Sequence, residues 1–264
     1  MTAPTTETAK ILRVSGDKCE RLEDIVVTEF PITILLNGEE LVTLLCTPQH
    51  LDYLAAGFLA AEGLLKRRQD IKKILVDEHK GIVHIESVEA TKGSSRLVFQ
   101  RLITSSCGHG SHPYSTGNTL PPRVESTTTV SPEQVLSLMK DFQQRCVVFK
   151  ATGGVHAAAL CDRKEIQIFH EDIGRHNAID KVLGQCVLDN IATEDKLLLT
   201  TGRVSSEVVL KAARRNIPLL ISKSPPTSLA VTLARNLGVT VIGFVRGQRM
   251  NIYSNEWRVA TDER

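Results

Sequence analysis

Apolar residues change their spacing several times along this chain, and each change predicts a different element. Residues 32–36 (ITILL) and 41–45 (LVTLL) are short aliphatic runs on either side of Asn37-Gly38. Asn-Gly supplies two positive-φ positions, so the segment reads as a β-hairpin with a tight type I′ turn. From Pro48 to Leu65 the spacing shifts to three and four, through Leu51, Leu54, Ala55, Phe58, Leu59 and Leu64. That is a helical stripe with proline at its start. Residues 71–76, 82–88 and 96–103 return to strand character, giving an N-terminal α+β unit.

Residues 104–130 carry no periodicity and are rich in Ser, Thr, Gly and Pro, with Pro121-Pro122 near the end. A loop of this length inside a folded protein is functional or disordered. Ser131-Pro132-Glu133-Gln134 then opens a helix, with Ser as cap, Pro at the first helical position and Gln closing a capping box. Beyond residue 147 strands and helices alternate: strands at 155–161, 166–170, 196–200, 218–222 and 239–245, helices at 174–188, 205–215 and 227–237. Strands as apolar as Leu197-Leu198-Leu199 and Leu219-Leu220-Ile221 predict a largely parallel sheet covered on both faces. The expected architecture is α/β, with residues 1–130 as the smaller α+β unit and 131–264 as an α/β/α domain.

Composition narrows the setting. The chain has 264 residues, 42% hydrophobic, with 32 Lys+Arg against 30 Asp+Glu. Between Arg203 and Arg249, however, eight cations face the single acid Glu207, which suits an anionic ligand. No apolar run reaches the ~18 residues of a membrane span. The first ten residues lack the basic-then-apolar pattern of a secretory signal. Six cysteines (Cys19, Cys46, Cys107, Cys146, Cys161, Cys186) show neither zinc-site nor redox-dithiol spacing. The reading is a cytoplasmic protein with reduced thiols and neither a membrane nor a nucleic-acid partner.

Cys107 stands apart from the other five, which fall mostly in apolar or periodic segments and read as packing residues. Its surroundings, Ser105-Ser106-Cys107-Gly108-His109-Gly110-Ser111-His112, are almost wholly polar. Cysteine is usually a small buried hydrophobe. A thiol on a Gly/Ser loop is available for chemistry, and His109, His112 and Arg101 would favour its thiolate. Cys107, His109 and His112 also make a three-ligand count for zinc, without a helix or knuckle to orient them.

Three other clusters carry polar chemistry. Gly202-Arg203-Val204-Ser205-Ser206 and Ser222-Lys223-Ser224-Pro225-Pro226-Thr227 follow strands and open helices. Each offers hydroxyls, helix N-terminal amides and a cation, the elements of a phosphate site; Ser205 and Thr227 would otherwise serve simply as caps. Arg246 and Arg249 follow the next strand, where open α/β sheets bind ligands. Gly153-Gly154 would let a phosphate or a flat ring approach the backbone, or form a tight turn into a strand that buries His156. The run 170–181 (HEDIGRHNAIDK) gathers carboxylates and histidines at a strand-to-helix junction. There Asp172 would pair with guanine donors or cap the helix, with His176 beside it.

The stretches 152–159 (TGGVHAAA), 170–181, 200–206 (TTGRVSS), 222–227 (SKSPPT), 243–246 (GFVR) and 250–253 (MNIY) together resemble the formate dehydrogenase accessory sulfurtransferases, the FdhD family. The resemblance implies that a cysteine accepts sulfur from a cysteine desulfurase as a persulfide. That sulfur then passes to the molybdenum or tungsten of bis-molybdopterin guanine dinucleotide, the bound substrate, ahead of insertion into apo-formate dehydrogenase. The family motif Cys-Gly-x-Cys-Gly stands here as Cys107-Gly108-His109-Gly110-Ser111, so the second cysteine is replaced by Gly110. Cys107 inherits the persulfide role as a single-cysteine relay. The family's cofactor-binding segment maps onto Phe244-Val245-Arg246-Gly247-Gln248-Arg249. The turns at Arg203, Ser205, Lys223 and Thr227 are expected to assist it, with Gly153, Gly154, Asp172 and His176.

The C-terminal half also resembles the cytidine deaminase fold. His176 opens a helix where deaminases place a zinc ligand, but Ala178 replaces their glutamate and Ser205-Ser206-Glu207-Val208 lacks their Cys-x-x-Cys. A nucleobase-shaped pocket without hydrolytic zinc is the implied outcome. The alternative to sulfur transfer is a non-covalent carrier of the molybdenum cofactor, which the missing second cysteine keeps open. A homodimer would offer two nucleotide pockets to a bis-nucleotide ligand.

Overall fold

A computed structural model describes residues 3–88, 102–103 and 120–261. Strands β1 (Thr6–Ser15) and β2 (Lys18–Val27) form an antiparallel hairpin of their own. A five-stranded sheet follows, ordered β5-β6-β3-β4-β7, with β3 Phe30–Leu36, β4 Glu39–Cys46, β5 Ile71–Asp77, β6 Ile82–Ser87 and β7 Leu102–Ile103. The β3–β4 turn has the predicted chemistry, Asn37 at φ 53° and Gly38 at φ 86°. Alternation on β3 puts Ile32, Ile34 and Leu36 into the same core as Leu54, Ala55 and Leu59 of α1 (Leu51–Ala61). Pro48 lies ahead of that helix instead of opening it, and His50 holds the cap position in a left-handed conformation.

The C-terminal sheet runs β13-β12-β11-β10-β8-β9, with β8 His156–Cys161, β9 Ile166–Asp172, β10 Leu197–Thr200, β11 Leu219–Ser222, β12 Thr240–Arg246 and β13 Arg249–Ile252. It is mixed, which corrects the expectation of a largely parallel sheet. Only β10, β11 and β12 run parallel to one another. β8 pairs antiparallel with β9 and β10, and β13 with β12. Short turns at 162–165 and 247–248 make β8–β9 and β12–β13 hairpins, which need no crossover helix.

Alternate residues of the central strands face opposite layers. Leu197, Leu199, Leu219 and Ile221 meet Val135, Leu138, Met139 and Phe142 of α2 (Pro132–Arg145). Leu198, Leu220 and Val241 meet α4 (Arg175–Leu188), α5 (Ser206–Arg214) and α6 (Ser228–Leu237). The Ser131–Gln134 capping box forms as predicted. A short α3 (Val147–Thr152) joins α2 to β8, and the carboxylate of Glu171 accepts from the Val148 and Phe149 amides at its start.

The two sheets are coupled where α1 lies on α4, with Gly57 and Gly184 at the crossing. Residues 124–130, which sequence places with the N-terminal unit, are strapped to the C-terminal layers. Val124 donates to Leu237 O, Val130 bridges Val259, and Arg258 locks the strap. The Arg258 guanidinium, 0% exposed, donates to the carbonyls of Ser126, Gly238 and Val124. Among the described residues no helix is long and apolar enough to cross a membrane.

Candidate functional site

The carboxyl ends of β10, β11 and β12 lie side by side because the three strands are parallel, so the segments that follow share one rim. Those segments are bonded to one another. Ser222 Oγ donates to Gly202 O (2.7 Å), Ser224 Oγ to Thr201 O (2.8 Å), Val204 N to Pro225 O (3.1 Å) and Thr227 N to Val204 O (2.9 Å). From β12, Phe244 N donates to Ser224 O and Arg246 Nε to Lys223 O (3.1 Å). Arg203, Lys223 and Arg246 are thus carried on one connected surface.

Ser205 and Thr227 behave differently at their helix starts. Thr227 caps α6, its hydroxyl accepting from Ala230 N at 3.3 Å. Ser205 occupies the cap position of α5 without a side-chain cap bond. Its Oγ lies instead 3.4 Å from His176 Nε2, which is also 3.3 Å from Glu207 Oε2. Both partners address the same ring nitrogen, so this is not a Ser-His-acid relay, which would use the two nitrogens separately. His156 stands nearby, its Nδ1 3.3 Å from Thr201 Oγ1, and burial followed by the Arg175 charge lowers its pKa. Glu207 escaped the sequence reading as a site residue, because a lone acid in a helix's first turn usually signals only dipole pairing.

Phe244 is the backbone outlier of the rim, at φ 52°. A bulky aromatic residue in the left-handed region is uncommon and costly, and such strain concentrates at functional sites. The conformation sets its ring beneath Arg246, whose guanidinium carbon lies 5.5 Å from the ring centroid. Gly247 and Gln248 form the turn to β13 and line a cleft with Val245 and Arg246. Arg249 pairs across the hairpin with Arg246 and is exposed.

Asp172 needs correction. Its carboxylate is 0% exposed and accepts from Thr47 N and Oγ1 (both 3.1 Å), Gly174 N (2.9 Å) and Asn177 Nδ2 (2.9 Å), with Lys181 Nζ at 2.7 Å. No lone pair faces a guanine; the group pins β9 and α4 to the end of β4. Polar density in 170–181 therefore marks a buried junction as well as a rim. Gly153 and Gly154 lead into the start of β8. Gly153 ends α3 at φ 66°, and a β-carbon on Gly154 would strike Val27 of β2. Both glycines have structural causes.

Cys107, with His109, Gly110 and His112, lies outside the described residues. Cys46, Cys146, Cys161 and Cys186 are buried, and burial raises all four thiols, to about 11 for Cys146 and about 12 for Cys161 and Cys186. Thiols held that high are inert as nucleophiles. Cys19 departs from the expected packing role: it is exposed on β2. Among the described residues no three His, Cys, Asp or Glu side chains gather as a metal site.

Comparison with known proteins decides the family. The model of the FdhD/NarQ family matches residues 27–260. The chain belongs to this family. A relative in Bacillus subtilis, sulfur carrier protein FdhD, is 42% identical over 260 residues, covering 98% of this chain and 99% of that one. Sulfur carrier protein FdhD of Staphylococcus aureus (strain MRSA252) is 39% identical over 254 residues, 96% of each. The crystal structure of a putative formate dehydrogenase accessory protein from Desulfotalea psychrophila superposes with a TM-score of 0.79 at 26% identity, covering 97% of this chain and all of that one. As an FdhD/NarQ member the chain carries its similarity across both sheets, the N-terminal half included.

Proposed function

We propose that this protein is a sulfur carrier for formate dehydrogenase, loaded at Cys107 and delivering to bis-molybdopterin guanine dinucleotide held on the β10–β12 rim. The observation that carries the reading is the near full-length similarity to proteins named as sulfur carriers, together with a cysteine in the family motif at position 107. In the loading step the Cys107 thiolate attacks the terminal sulfur of a desulfurase persulfide. A new S–S bond forms, the old one breaks, and the desulfurase cysteine leaves as thiolate. The molybdenum or tungsten belongs to the substrate. The residues of the rim fit an anionic, nucleotide-bearing ligand: Arg203, Lys223 and Arg246 bring charge, and Ser205 presents a hydroxyl not used as a cap.

We also assign the C-terminal layers to a cytidine deaminase-like frame. In its favour, His176 and Ser205 meet at the starts of α4 and α5, where the resemblance places deaminase zinc ligands. Serine in place of thiolate removes the metal and leaves a pocket.

The test is mass spectrometry after incubation with a cysteine desulfurase and cysteine. Gain of one sulfur, about 32 Da, on Cys107 is expected, and its loss in Cys107→Ala. A Cys19→Ser control removes the thiol that is exposed among the described cysteines. Absence of any adduct on Cys107, with normal formate dehydrogenase activation by Cys107→Ala, would leave the non-covalent carrier as the function.

A further inference from the structure

The ends of β4 and β9 meet at the first turn of α4, and β7 ends beside β4. β9 runs parallel to β10, since each is antiparallel to β8, so its carboxyl end at Asp172 lies at the same end of the sheet as the rim. The end of β4 is fastened there from the other sheet. Thr47 N donates to Asp172 Oδ2 (3.1 Å), and Asn177 Nδ2 donates to Leu45 O (2.8 Å). β7 is parallel to β4 and ends with Ile103 opposite Leu44, heading for the same junction.

Cys107 is four residues past Ile103. Four residues of fully extended chain span at most about 14 Å. In the sheet order β12 is four strand positions from β9, about 19 Å at the usual strand spacing. The tether of the thiol therefore starts on the α4 side of the rim, with Arg246 and Arg249 on the far side.

His176 stands directly ahead of Asn177 on that first turn. Its side chain is 20% exposed, and a carboxylate oxygen of Glu207 lies 3.3 Å from Nε2. A carboxylate at that distance orients the ring and favours the imidazolium. Arg175 precedes His176 on α4, and His156 of β8, beside Thr201, is at the same end of the sheet. Lys181 and Asp172 close on each other at 2.7 Å beneath the turn. The remaining described histidines lie elsewhere: His79 and His84 on the β5–β6 edge, His50 and His170 packed together against Tyr53.

We propose that His176 is the proton acceptor for the Cys107 thiol, with Glu207 as its positioning residue. The S–H bond breaks, an N–H bond forms on the imidazole, and the pair rests as thiolate and imidazolium. No electrons change hands, so neither oxidant nor reductant is required. The thiolate is the species that attacks sulfur. The inference rests on Cys107 being the sulfur-bearing residue, and it adds the group that ionises it.

Alkylation of Cys107 by iodoacetamide, followed from about pH 5 to about pH 10 in the full-length Cys19→Ser protein, reads the thiolate. Mass spectrometry of the Cys107 peptide assigns the adduct. The midpoint should fall below the ordinary thiol value of ~8.5. His176→Gln should raise it by about one unit, leaving about tenfold less thiolate near neutral pH. Glu207→Gln should raise it by less, and His176→Lys, which keeps a cation, should hold it low. Persulfide loading by a desulfurase should slow about tenfold in His176→Gln near neutral pH and recover at about pH 9.5, where an ordinary thiol ionises. Slower loading with an unmoved midpoint would mark His176 as merely structural and overturn the proposal. A midpoint that responds only to His109→Ala/His112→Ala would overturn it as well. If the midpoint follows His176 but no persulfide forms at any pH, the proton acceptor stands and the sulfur-carrier reading fails. Thermal melting confirms the fold of each variant, and His176→Asn serves should the glutamine variant fail to fold.

Discussion

Gly57 and Gly184 face each other where α1 crosses α4, and a β-carbon on Gly184 would overlap the Tyr53 carbonyl oxygen. A glycine inside a helix ordinarily costs about 1 kcal/mol relative to alanine. Here the missing side chain lets two backbones touch, so the sign reverses. Gly184→Ala is expected to destabilise the protein by about 2–3 kcal/mol as the helices separate. Thermal melting checks it; an unchanged or higher midpoint would refute the close crossing.

Thr227 and Ser205 occupy equivalent cap positions with unequal side-chain roles. Thr227→Ala should cost about 1 kcal/mol, the usual value of a lost cap bond. Ser205→Ala should stay within about 0.5 kcal/mol. Urea unfolding of the two variants gives the comparison, and equal losses would contradict the hydrogen-bond pattern.

His170 is 6% exposed, and its ring edge lies against His50 and Tyr53, with Nε2 2.8 Å from Gln185 Oε1. Burial, aided by the positive charges of His50 and Lys181 and opposed by Gln185 and Asp172, lowers its pKa to about 4. The unfolded chain then binds more protons than the folded one between about 4 and 6.5. The associated stability is complete above 6.5 and is lost as pH falls towards 4, about 3 kcal/mol at most. His170→Gln should flatten the pH dependence of unfolding across that window, as chemical denaturation at pH 5 and pH 7 would report.

Phe244 separates backbone cost from ring function. Phe244→Gly and Phe244→Ala both delete the ring beneath Arg246, but only glycine accepts φ 52° without penalty. The glycine variant should be more stable than the alanine variant by about 1 kcal/mol, with both binding guanosine diphosphate several-fold more weakly than wild type. Calorimetry supplies both quantities.

Local chemistry made much of this fold legible. The Asn37-Gly38 turn and the Ser131–Gln134 box depend on neighbours within four residues, and both appear as read. Elements fixed by distant partners were not legible. The β1–β2 hairpin exposes Leu12, Val14, Ile25 and Val26, so it lacks the alternation that reveals a half-buried strand. α3 is six residues long, and its first amides are satisfied by Glu171, more than twenty positions away. Asp172 misled because a buried carboxylate and a ligand-reading one have the same local sequence. Only the arrival of Thr47 and Lys181 distinguishes them.

The bonds from Ser222 to Gly202, Ser224 to Thr201 and Arg246 to Lys223 stitch three separate turns into one stiff lip. A molecule settling on any one of them finds the others already in place. Little ordering entropy is then left for capture to overcome, so the grip is set by charge and shape more than by rearrangement of the protein.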